Sequence, residues 1–553
     1  MKLHINHALC IDRLPTGLAL FWIPTCRRML LILCGLLLIM PAALHGQSGF
    51  PADGVRIVQT PPANPPVQPK KRLVVLTDIE ADPDDSQSLV RLLLYANDID
   101  IEALIATTSV HQKYRVAPET IRKIVNAYGK VQPNLLKHEK EFPSAQALLS
   151  ITKQGIAKFG MEGVGEGNDS EGSEFIIKIL EKPDPRPVWV TAWGGPNCLA
   201  QALWKIQKTR TPEQAEKLYA KLRVYTIGDQ DDSGPWMRKT FPSIFYVPCN
   251  IYGAIASAAA GSNAEVVTPA WLAENIQQGH GPLGAQYPDI SYGMEGDTPS
   301  YLGLIRNGLN EMEHPNWGGW GGRYEFYLPT PEQMSARGGA GAPPPGAQGQ
   351  APGGPPAGAV SGRSQQPPGG QPGGAAGRPA REPETRAIWA TVNDAFSPAS
   401  MIRRRGPQTD NTVYTNPQVT IWRWRTEYQN DFAARMDWTI KSFSEANHPP
   451  VAKVNHPEEF SVKSGEWFRL DADGSTDPDG DSLSYFWFQY AEVGTYKERV
   501  SFGPFAPNLY NVHTIRAPDV DQPQTVHFIL KVTDKGTPPL TRYKRVIVTI
   551  LPK

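Results

Sequence analysis

The sequence of 553 residues is too long for a single hydrophobic core, so two or more domains are expected. Lysine and arginine together number 55, as do aspartate and glutamate, and this balance argues against a nucleic-acid or anionic-membrane partner. The apolar fraction of 40% argues against a largely disordered chain.

Residues 1–46 have the pattern of a secretory signal peptide. Arg27 and Arg28 precede the apolar run LLILCGLLLIMPAAL, and small and polar residues follow it. The long stretch before Arg27 leaves a true start near Met29 open, and an uncleaved membrane anchor is a further alternative. We expect a secreted or periplasmic protein without stable membrane insertion after processing. Residues 47–70 are rich in proline and predict an extended tether.

Strand and helix patterns alternate in the next part of the chain. The apolar segments LVVLTDI, DIEALIATTS, PVWVTAWGG and KLRVYTIGDQD are separated by helical segments such as SQSLVRLLLYAN, PETIRKIVNAYGKV and NCLAQALWKIQKT. This alternation predicts an α/β domain over residues 71–446, with a mostly parallel sheet covered by helices. Ligands of such sheets bind beyond the carboxyl ends of the strands.

A stretch at about 335–379 consists mostly of Gly, Pro, Ala and Gln. It lacks the large apolar residues that a core requires, so we expect it to be disordered. An insertion in the first domain and a linker between two domains are both compatible with this composition.

Residues 447–553 change to short alternating strands with Asp/Gly/Pro turns. This pattern predicts a small all-β sandwich of the immunoglobulin or cadherin-like type. One turn, DADGSTDPDGD, carries Asp471, Asp473, Asp477, Asp479 and Asp481. A calcium site and a set of tight Asp/Gly turns are both open for this segment.

The most informative segment is TDIEADPDD, which places five carboxylates within residues 78–85. It follows an apolar strand and precedes a helix, where an open α/β sheet holds its ligand. Neighbouring carboxylates repel one another, and a hard divalent cation removes that cost. The segment therefore predicts a calcium site. The alternative is a solvated acidic turn in which one aspartate caps the helix.

This segment resembles the Asp-x-Asp-Pro-Gly-x-Asp-Asp loop of the nucleoside hydrolases. The resemblance implies that Asp85 is a calcium ligand and that Asp84 binds sugar hydroxyls. It also implies that Glu80 or Asp78 is a metal ligand close to the attacking water and acts as the general base.

Two further segments resemble the same family. TAWGGPNCLAQAL is similar to the family segment in which a main-chain carbonyl binds calcium, and Asn197 takes that position. MEGDTPSYLGLI is similar to the segment whose aspartate completes the metal site, which implies Asp297 as a ligand. Gly296 stands where the family often has a histidine that acts on the leaving group, so the leaving-group apparatus is expected to differ.

Over most of its length the chain is similar to a secreted family described as cellulose-binding proteins. Members have a nucleoside-hydrolase-like domain followed by a β-sandwich. The segments EGNDSEGSEFI, TIGDQDDSGPW and QNDFAARMDW carry this resemblance, together with those already quoted. The resemblance to the nucleoside hydrolases implies a calcium-dependent hydrolase of a glycosidic bond, with an N-glycosidic bond as the first expectation. The alternative is a non-catalytic protein that binds a carbohydrate, a nucleoside-like small molecule or a polysaccharide.

Other polar residues at strand ends are candidates for substrate binding. Asp231 and Asp232 follow the strand RVYTI, and loops at such ends line the ligand cleft. Asn168 either contacts the sugar or belongs to a helix N-terminus. His111 follows another strand and is a candidate sugar contact, although a lone histidine is usually structural.

Several tryptophans could stack on sugar rings, with ordinary packing favoured for most of them. These residues are Trp317, Trp320, Trp422, Trp424 and Trp438.

Overall fold

A computed structural model describes residues 55–56, 68–291, 293–335, 383–398, 411–502 and 510–553. Val55–Lys553 form one compact unit. The predicted signal peptide, most of the tether and most of the Gly/Pro-rich stretch lie outside the described residues. Within the described parts of the chain, no helix has the length and apolar character needed to cross a bilayer.

A six-stranded parallel sheet forms the centre of the first domain, as predicted. Strand β1 is the short segment Val55–Arg56, which belongs to the second domain. The strands of the central sheet occur in the order β4-β3-β2-β5-β6-β7 and all pair in parallel. They are β2 (Lys71–Thr77), β3 (Ile99–Ala106), β4 (Thr152–Gln154), β5 (Val188–Ala192), β6 (Leu222–Ile227) and β7 (Phe245–Cys249).

Successive residues of the strands point to opposite sides of the sheet, so both faces carry apolar side chains. Helices cover both of these faces. In β2, Leu73 and Val75 pack into one core with the first two helices, whereas Val74 and Leu76 pack into a second core on the other face. The helices between the strands are α1 (Asp84–Leu93), α2 (Pro118–Leu135), α3 (Ala145–Ser150), α4 (Glu171–Glu181), α5 (Asn197–Thr209), α6 (Pro212–Tyr219) and α7 (Ser233–Thr240).

The rest of the first domain consists of short helices and two small hairpins. Strand β8 (Tyr324–Tyr327) pairs antiparallel with β9 (Ile388–Thr391), and β10 (Asp394–Phe396) pairs antiparallel with β11 (Tyr414–Asn416). The helices are α8 (Pro269–Leu272), α9 (Gly281–Gly284), α10 (Pro299–Leu302), α11 (Pro331–Ser335), α12 (Val419–Trp422) and α13 (Arg425–Asp437). Because β8 and β9 flank the Gly/Pro-rich stretch and pair with each other, that stretch connects two strands of one domain.

The second domain is a β-sandwich, in agreement with the predicted fold class. One sheet has the order β12-β17-β16-β14, and the other has the order β1-β13-β15. The side chains between the sheets form a separate core that includes Phe468, Trp487 and Phe528. The strands are β12 (Glu459–Lys463), β13 (Trp467–Asp471), β14 (Ser484–Gln489), β15 (Val512–Arg516), β16 (Gln524–Thr533) and β17 (Thr541–Leu551).

Part of the four-stranded sheet of the sandwich is buried on both faces. Phe528 points into the sandwich core, whereas the next residue, Ile529, joins the main core of the first domain. Tyr543 also belongs to that main core and receives a hydrogen bond from the indole Nε1 of Trp320 at 3.4 Å. The two domains therefore share one continuous packed interior across this face.

Candidate functional site

The acidic segment lies at the switch point of the central sheet. Strands β3 and β4 follow β2 on one side of the sheet. The chain then returns to the other side of β2, where β5, β6 and β7 follow one another outward. The loops after β2 and β5 therefore leave adjacent strand ends and enclose a crevice. The acidic segment follows β2, and the Gly194–Gly195 pair follows β5.

Three carboxylates meet in the interior at this edge. Asp78 follows β2, Asp85 lies in the first turn of α1, and Asp297 lies just before α10. Each of these residues is only 3% exposed. The hydroxyl of Thr77 donates a hydrogen bond to Asp85 Oδ1. Asp297 Oδ2 is buried and has no hydrogen-bond partner among the described residues.

Burial and neighbouring carboxylates raise the pKa values of these three acids. Burial raises the pKa of Asp78 to about 6, and the nearby charge of Asp82 adds to this effect. Burial, followed by the charge of Asp78, raises the pKa of Asp85 well above its ordinary value. Burial, followed by the charge of Asp85, does the same to the pKa of Asp297. The carboxylates thus oppose one another's ionisation.

Asp82 and Asp84 extend this group toward solvent. One carboxylate oxygen from each of Asp82, Asp84 and Asp85 lies within 4.8 Å of the others. Asp82 Oδ1 accepts a hydrogen bond from the backbone N–H of Asp84 at 3.1 Å, which shapes the turn into α1. A Cβ atom on Gly296 would lie 2.6 Å from Asp84 Oδ2. A larger residue at position 296 would therefore displace the Asp84 carboxylate.

The glycine pair after β5 allows two aspartates to approach the backbone. A Cβ atom on Gly194 would lie 2.7 Å from Asp78 Oδ1, and one on Gly195 would collide with Asp231 Oδ2. Adjacent backbone positions therefore contact Asp78 on one side and Asp231 on the other. This contact places Asp231 at the same edge of the sheet as the acidic group.

Glu80 is not brought to the buried carboxylates. Its backbone has a positive φ of 80°, and its side chain is 31% exposed. The carboxylate forms an ion pair with Arg115 and accepts a hydrogen bond from the hydroxyl of Thr120. Of the two alternatives for the metal ligand and base, the structure therefore places Asp78, and not Glu80, within the acidic group.

Asn197 begins α5 close to the crevice. Its side-chain Nδ2 donates hydrogen bonds to the carbonyl of Lys158 at 2.7 Å and to the hydroxyl of Thr108 at 3.2 Å. Its Oδ1 is buried and without a hydrogen-bond partner in the described part of the chain. The role of its main-chain carbonyl as a calcium ligand remains a prediction.

Asp231 is a further buried acid at this edge of the sheet. Its Oδ1 accepts hydrogen bonds from the backbone N–H of Ser233 at 2.8 Å and from the Ser233 hydroxyl at 2.6 Å. Its Oδ2 is buried, and none of the described residues donates a hydrogen bond to it. Burial raises the pKa of Asp231 to about 7. This carboxyl can therefore hold a proton near neutral pH.

Two of the other predicted substrate contacts, Asp232 and Asn168, lie around the segment 158–162. Asp232 Oδ1 accepts a hydrogen bond from the backbone N–H of Met161 at 2.8 Å. Asn168 donates to the carbonyl of Glu162 at 3.2 Å and accepts from Lys158 Nζ at 2.6 Å. His111 is exposed, and its charge counteracts the rise in the pKa of Asp82.

Two features of the site were not assigned from the sequence. Asp82 was not predicted as a ligand. The sequence did contain an indication of this role, because Asp82 stands where the nucleoside hydrolases have a glycine. Glu295, beside Asp297, is fully buried and forms an ion pair with Arg91, with Nε and Oε2 2.7 Å apart. No motif marks this pair, since its partners lie far apart in the sequence.

The tryptophans are used mainly for packing, which was the favoured interpretation. Four of them are almost fully buried, namely Trp320, Trp422, Trp424 and Trp438. Trp317 is half-buried and stacks on His314 with ring centroids 4.3 Å apart.

Comparisons with known proteins agree with the fold. Residues 72–324 match the family model described as cellulose-binding Sde182, nucleoside hydrolase-like domain. Residues 467–550 match the model described as cellulose-binding protein Sde0182, C-terminal domain. A solved structure of a nucleoside hydrolase-related protein from Saccharophagus degradans, associated with carbohydrate metabolism, is 33% identical, with a TM-score of 0.67. The similarity covers 87% of this chain and 100% of that chain. None of the curated proteins matches the chain.

The fold and the family-model match thus define a nucleoside-hydrolase-like protein. The chain belongs to the cellulose-binding Sde182 family, with its nucleoside-hydrolase-like domain followed by its C-terminal domain. The resemblance identified from the sequence is confirmed.

Proposed function

We propose that the chain is a secreted, calcium-dependent hydrolase that cleaves a glycosidic bond of a carbohydrate or ribosyl substrate. The observation that carries this proposal is the convergence of Asp78, Asp82, Asp85 and Asp297 at the switch point. The charged neighbours that raise the pKa values of the three buried members are other carboxylates. The family name refers to cellulose binding and the solved relative to carbohydrate metabolism, which supports a sugar ligand. The pattern of residues 1–46 supports export.

The donor set suits calcium. The ion prefers six to eight oxygen ligands and tolerates irregular geometry. Asp78, Asp82, Asp85 and Asp297 supply carboxylate oxygens, and Asp297 Oδ2 has no hydrogen-bond partner among the described residues. The absence of sulfur or imidazole from this set argues against zinc, which favours those ligands.

Each side chain of the site has a separate role in the hydrolysis. When bound, calcium supplies positive charge that favours loss of a proton from water and orients adjacent sugar hydroxyls. Asp78 accepts the proton of the attacking water, whose oxygen bonds to the anomeric carbon as the glycosidic bond breaks. Asp231 donates its proton to the leaving group. Asp84 accepts a hydrogen bond from a sugar hydroxyl.

A second function is a carbohydrate-binding protein without turnover. Gly296 favours it, because this glycine stands where the nucleoside hydrolases often have the histidine that acts on the leaving group. If Asp231 does not replace that group, the same crevice binds sugar and leaves the bond intact.

Calcium titrations of three variants test the site. Asp85→Asn removes a buried ligand, and we expect at least tenfold weaker calcium binding by calorimetry. Glu80→Gln removes the same charge from the same segment but leaves the buried group intact, so calcium affinity should stay within about twofold. Asp84→Asn should retain calcium and weaken sugar binding. Equal calcium affinity of Asp85→Asn and the wild type would contradict the proposal.

A panel of nucleosides and oligosaccharides then separates the two functions. Hydrolysis that requires calcium and is lost in Asp231→Asn supports the enzyme. Saturable binding without product, in the presence of calcium, supports the carbohydrate-binding protein.

A further inference from the structure

The acidic turn between β13 and β14 is organised by Asp477. Its Oδ1 accepts hydrogen bonds from the backbone N–H groups of Asp479 at 2.9 Å and Asp481 at 3.1 Å. One oxygen of the carboxylate is therefore used to build the turn. The other oxygen, Oδ2, is buried and has no hydrogen-bond partner among the described residues.

The turn between β16 and β17 has the same arrangement around Asp534. Its Oδ1 accepts hydrogen bonds from the backbone N–H groups of Gly536 at 3.1 Å and Leu540 at 2.9 Å. Asp534 is only 2% exposed. Its Oδ2 is also buried, again without a hydrogen bond from any described residue.

Asn447 and His448 together join these two turns. Its Nδ2 donates hydrogen bonds to Asp534 Oδ1 at 3.2 Å and to the carbonyl of Pro538 at 2.8 Å. The next residue, His448, donates its backbone N–H to Asp479 Oδ2 at 2.7 Å. Asn447 is 6% exposed, and its Oδ1 is a third buried oxygen that lacks a hydrogen-bond partner within the described residues.

Three buried oxygens without donors carry a free-energy cost. A buried polar atom that makes no hydrogen bond costs about 1–3 kcal/mol. Burial raises the pKa of Asp534, and the charge of Asp477 contributes to the rise. The charge of Asp477 therefore acts on Asp534 and adds to this cost. A hard cation with oxygen ligands satisfies all three atoms at once.

We propose that Asn447 Oδ1, Asp477 Oδ2 and Asp534 Oδ2 bind a calcium ion in the second domain. A mixture of amide and carboxylate oxygens suits calcium better than magnesium, which keeps more of its water and demands stricter geometry. This site is separate from the acidic group at the switch point and does not depend on the function proposed for that group.

The position of Asn447 gives the ion a structural role. The carbonyl of Asn447 accepts a hydrogen bond from Trp438 Nε1 at 2.9 Å, at the end of α13. The ring of His448 stacks on Trp438 and Phe443, with centroids 5.1 and 3.9 Å apart. A calcium ion held by Asn447 therefore fixes the segment through which the first domain continues into the sandwich.

Calcium titration of the full chain tests the proposal with four variants. Asp477→Asn and Asp534→Asn each keep the Oδ1 acceptor of the turn and replace the ligand oxygen. We expect calorimetry to show one calcium ion fewer per chain for both. Asp473→Asn, an exposed acid of the same turn, is the matched control and should retain the wild-type stoichiometry. Asp85→Asn should lose the switch-point ion alone.

Hydrogen exchange of the wild type provides a test that does not depend on any variant folding. Calcium should slow exchange of the amides of residues 534–540 at least tenfold, because the ion holds that turn closed. The Asp85→Asn variant should show the same protection, which separates this site from the first. Unchanged exchange in the wild type, or unchanged stoichiometry in both Asp477→Asn and Asp534→Asn, would overturn the proposal.

Discussion

Asp231 illustrates how one buried residue can carry a proton near neutral pH. Its Oδ1 is held by Ser233, while its Oδ2 faces the Gly195 backbone and has no described donor. Its pKa is about 7, against an ordinary value of 3.8, because burial disfavours the charged form. The neutral acid is thus the form that the fold prefers.

This preference gives a measurable dependence of stability on pH. The stabilisation by protonated Asp231 is fully present below about pH 4 and is lost as the pH rises through about 7. Asp231→Asn keeps an oxygen acceptor and cannot ionise. In calcium-free buffer, the free energy of unfolding of this variant, relative to that of the wild type, should increase by ~1–4 kcal/mol between pH 4 and 8.

Urea unfolding at several pH values checks this expectation. The control is Asp232→Asn, which removes the neighbouring exposed charge but leaves Asp231 able to ionise, so this variant should keep most of the wild type's loss of stability between pH 4 and 8. A difference between Asp231→Asn and the wild type that does not vary with pH would rule out a buried, protonated Asp231.

At this scale the sequence predicted that several acids lie together, but it did not identify every member of the group. It predicted that Asp85 and Asp297 belong to one acidic group together with Asp78 or Glu80, and the structure brings Asp78, Asp85 and Asp297 together. It did not distinguish Asp78 from Glu80, because the positive φ at Glu80 and its ion pair with Arg115 depend on tertiary contacts.

At the scale of elements, an ion pair connects α1 to the segment before α10. Arg91 lies on α1 and is fully buried, and its guanidinium lies 4.1 Å from the centroid of the Phe432 ring on α13. Its partner Glu295 also accepts hydrogen bonds from the hydroxyls of Tyr287 at 2.7 Å and Thr298 at 3.0 Å. This network holds the segment that carries Asp297 against the helix that carries Asp85.

Removing one partner of this pair should be costly. Glu295→Gln leaves the charge of Arg91 buried without its counter-charge, and we expect a loss of about 3–5 kcal/mol in the free energy of unfolding. Calcium affinity should fall as well, because Asp297 loses its support. Denaturant unfolding and calorimetry measure the two effects.

The double variant Arg91→Met with Glu295→Gln provides the control. It removes both charges, so its stability should exceed that of Glu295→Gln alone. Additive losses in the double variant would mean that the ion pair does not couple the two elements.

The regular elements were predictable because their patterns are local. Apolar strands alternating with amphipathic helices predicted the parallel sheet, and the Asp/Gly/Pro turns predicted the sandwich. Contacts between distant elements were not predictable in this way. The pairing of β8 with β9 shows that the Gly/Pro-rich stretch is an insertion in the first domain and not a linker between domains. The two strands lie on either side of that stretch in the sequence, so no local pattern predicts their pairing.

At the scale of the whole molecule, the Gly/Pro-rich stretch should be dispensable for stability. Replacing residues 336–379 with a short Gly/Ser loop removes a stretch that has almost no large apolar residue. Since loop length changes closure entropy only slowly, the melting temperature should change by no more than about 3 °C. Differential scanning calorimetry measures this change. A fall of about 10 °C or more would show that the stretch contributes packed contacts.

The shared sheet of the sandwich has a consequence for the order in which the chain folds. Trp320 and Trp424 pack against Tyr543, with ring centroids 6.4 and 5.9 Å apart. Tyr543 lies on β17, which is synthesised more than 200 residues after Trp320. Until β17 is in place, this part of the first domain is uncovered and exposed to aggregation or chaperone binding. Folding of the first domain is therefore completed only after the C-terminal strand of the chain has docked.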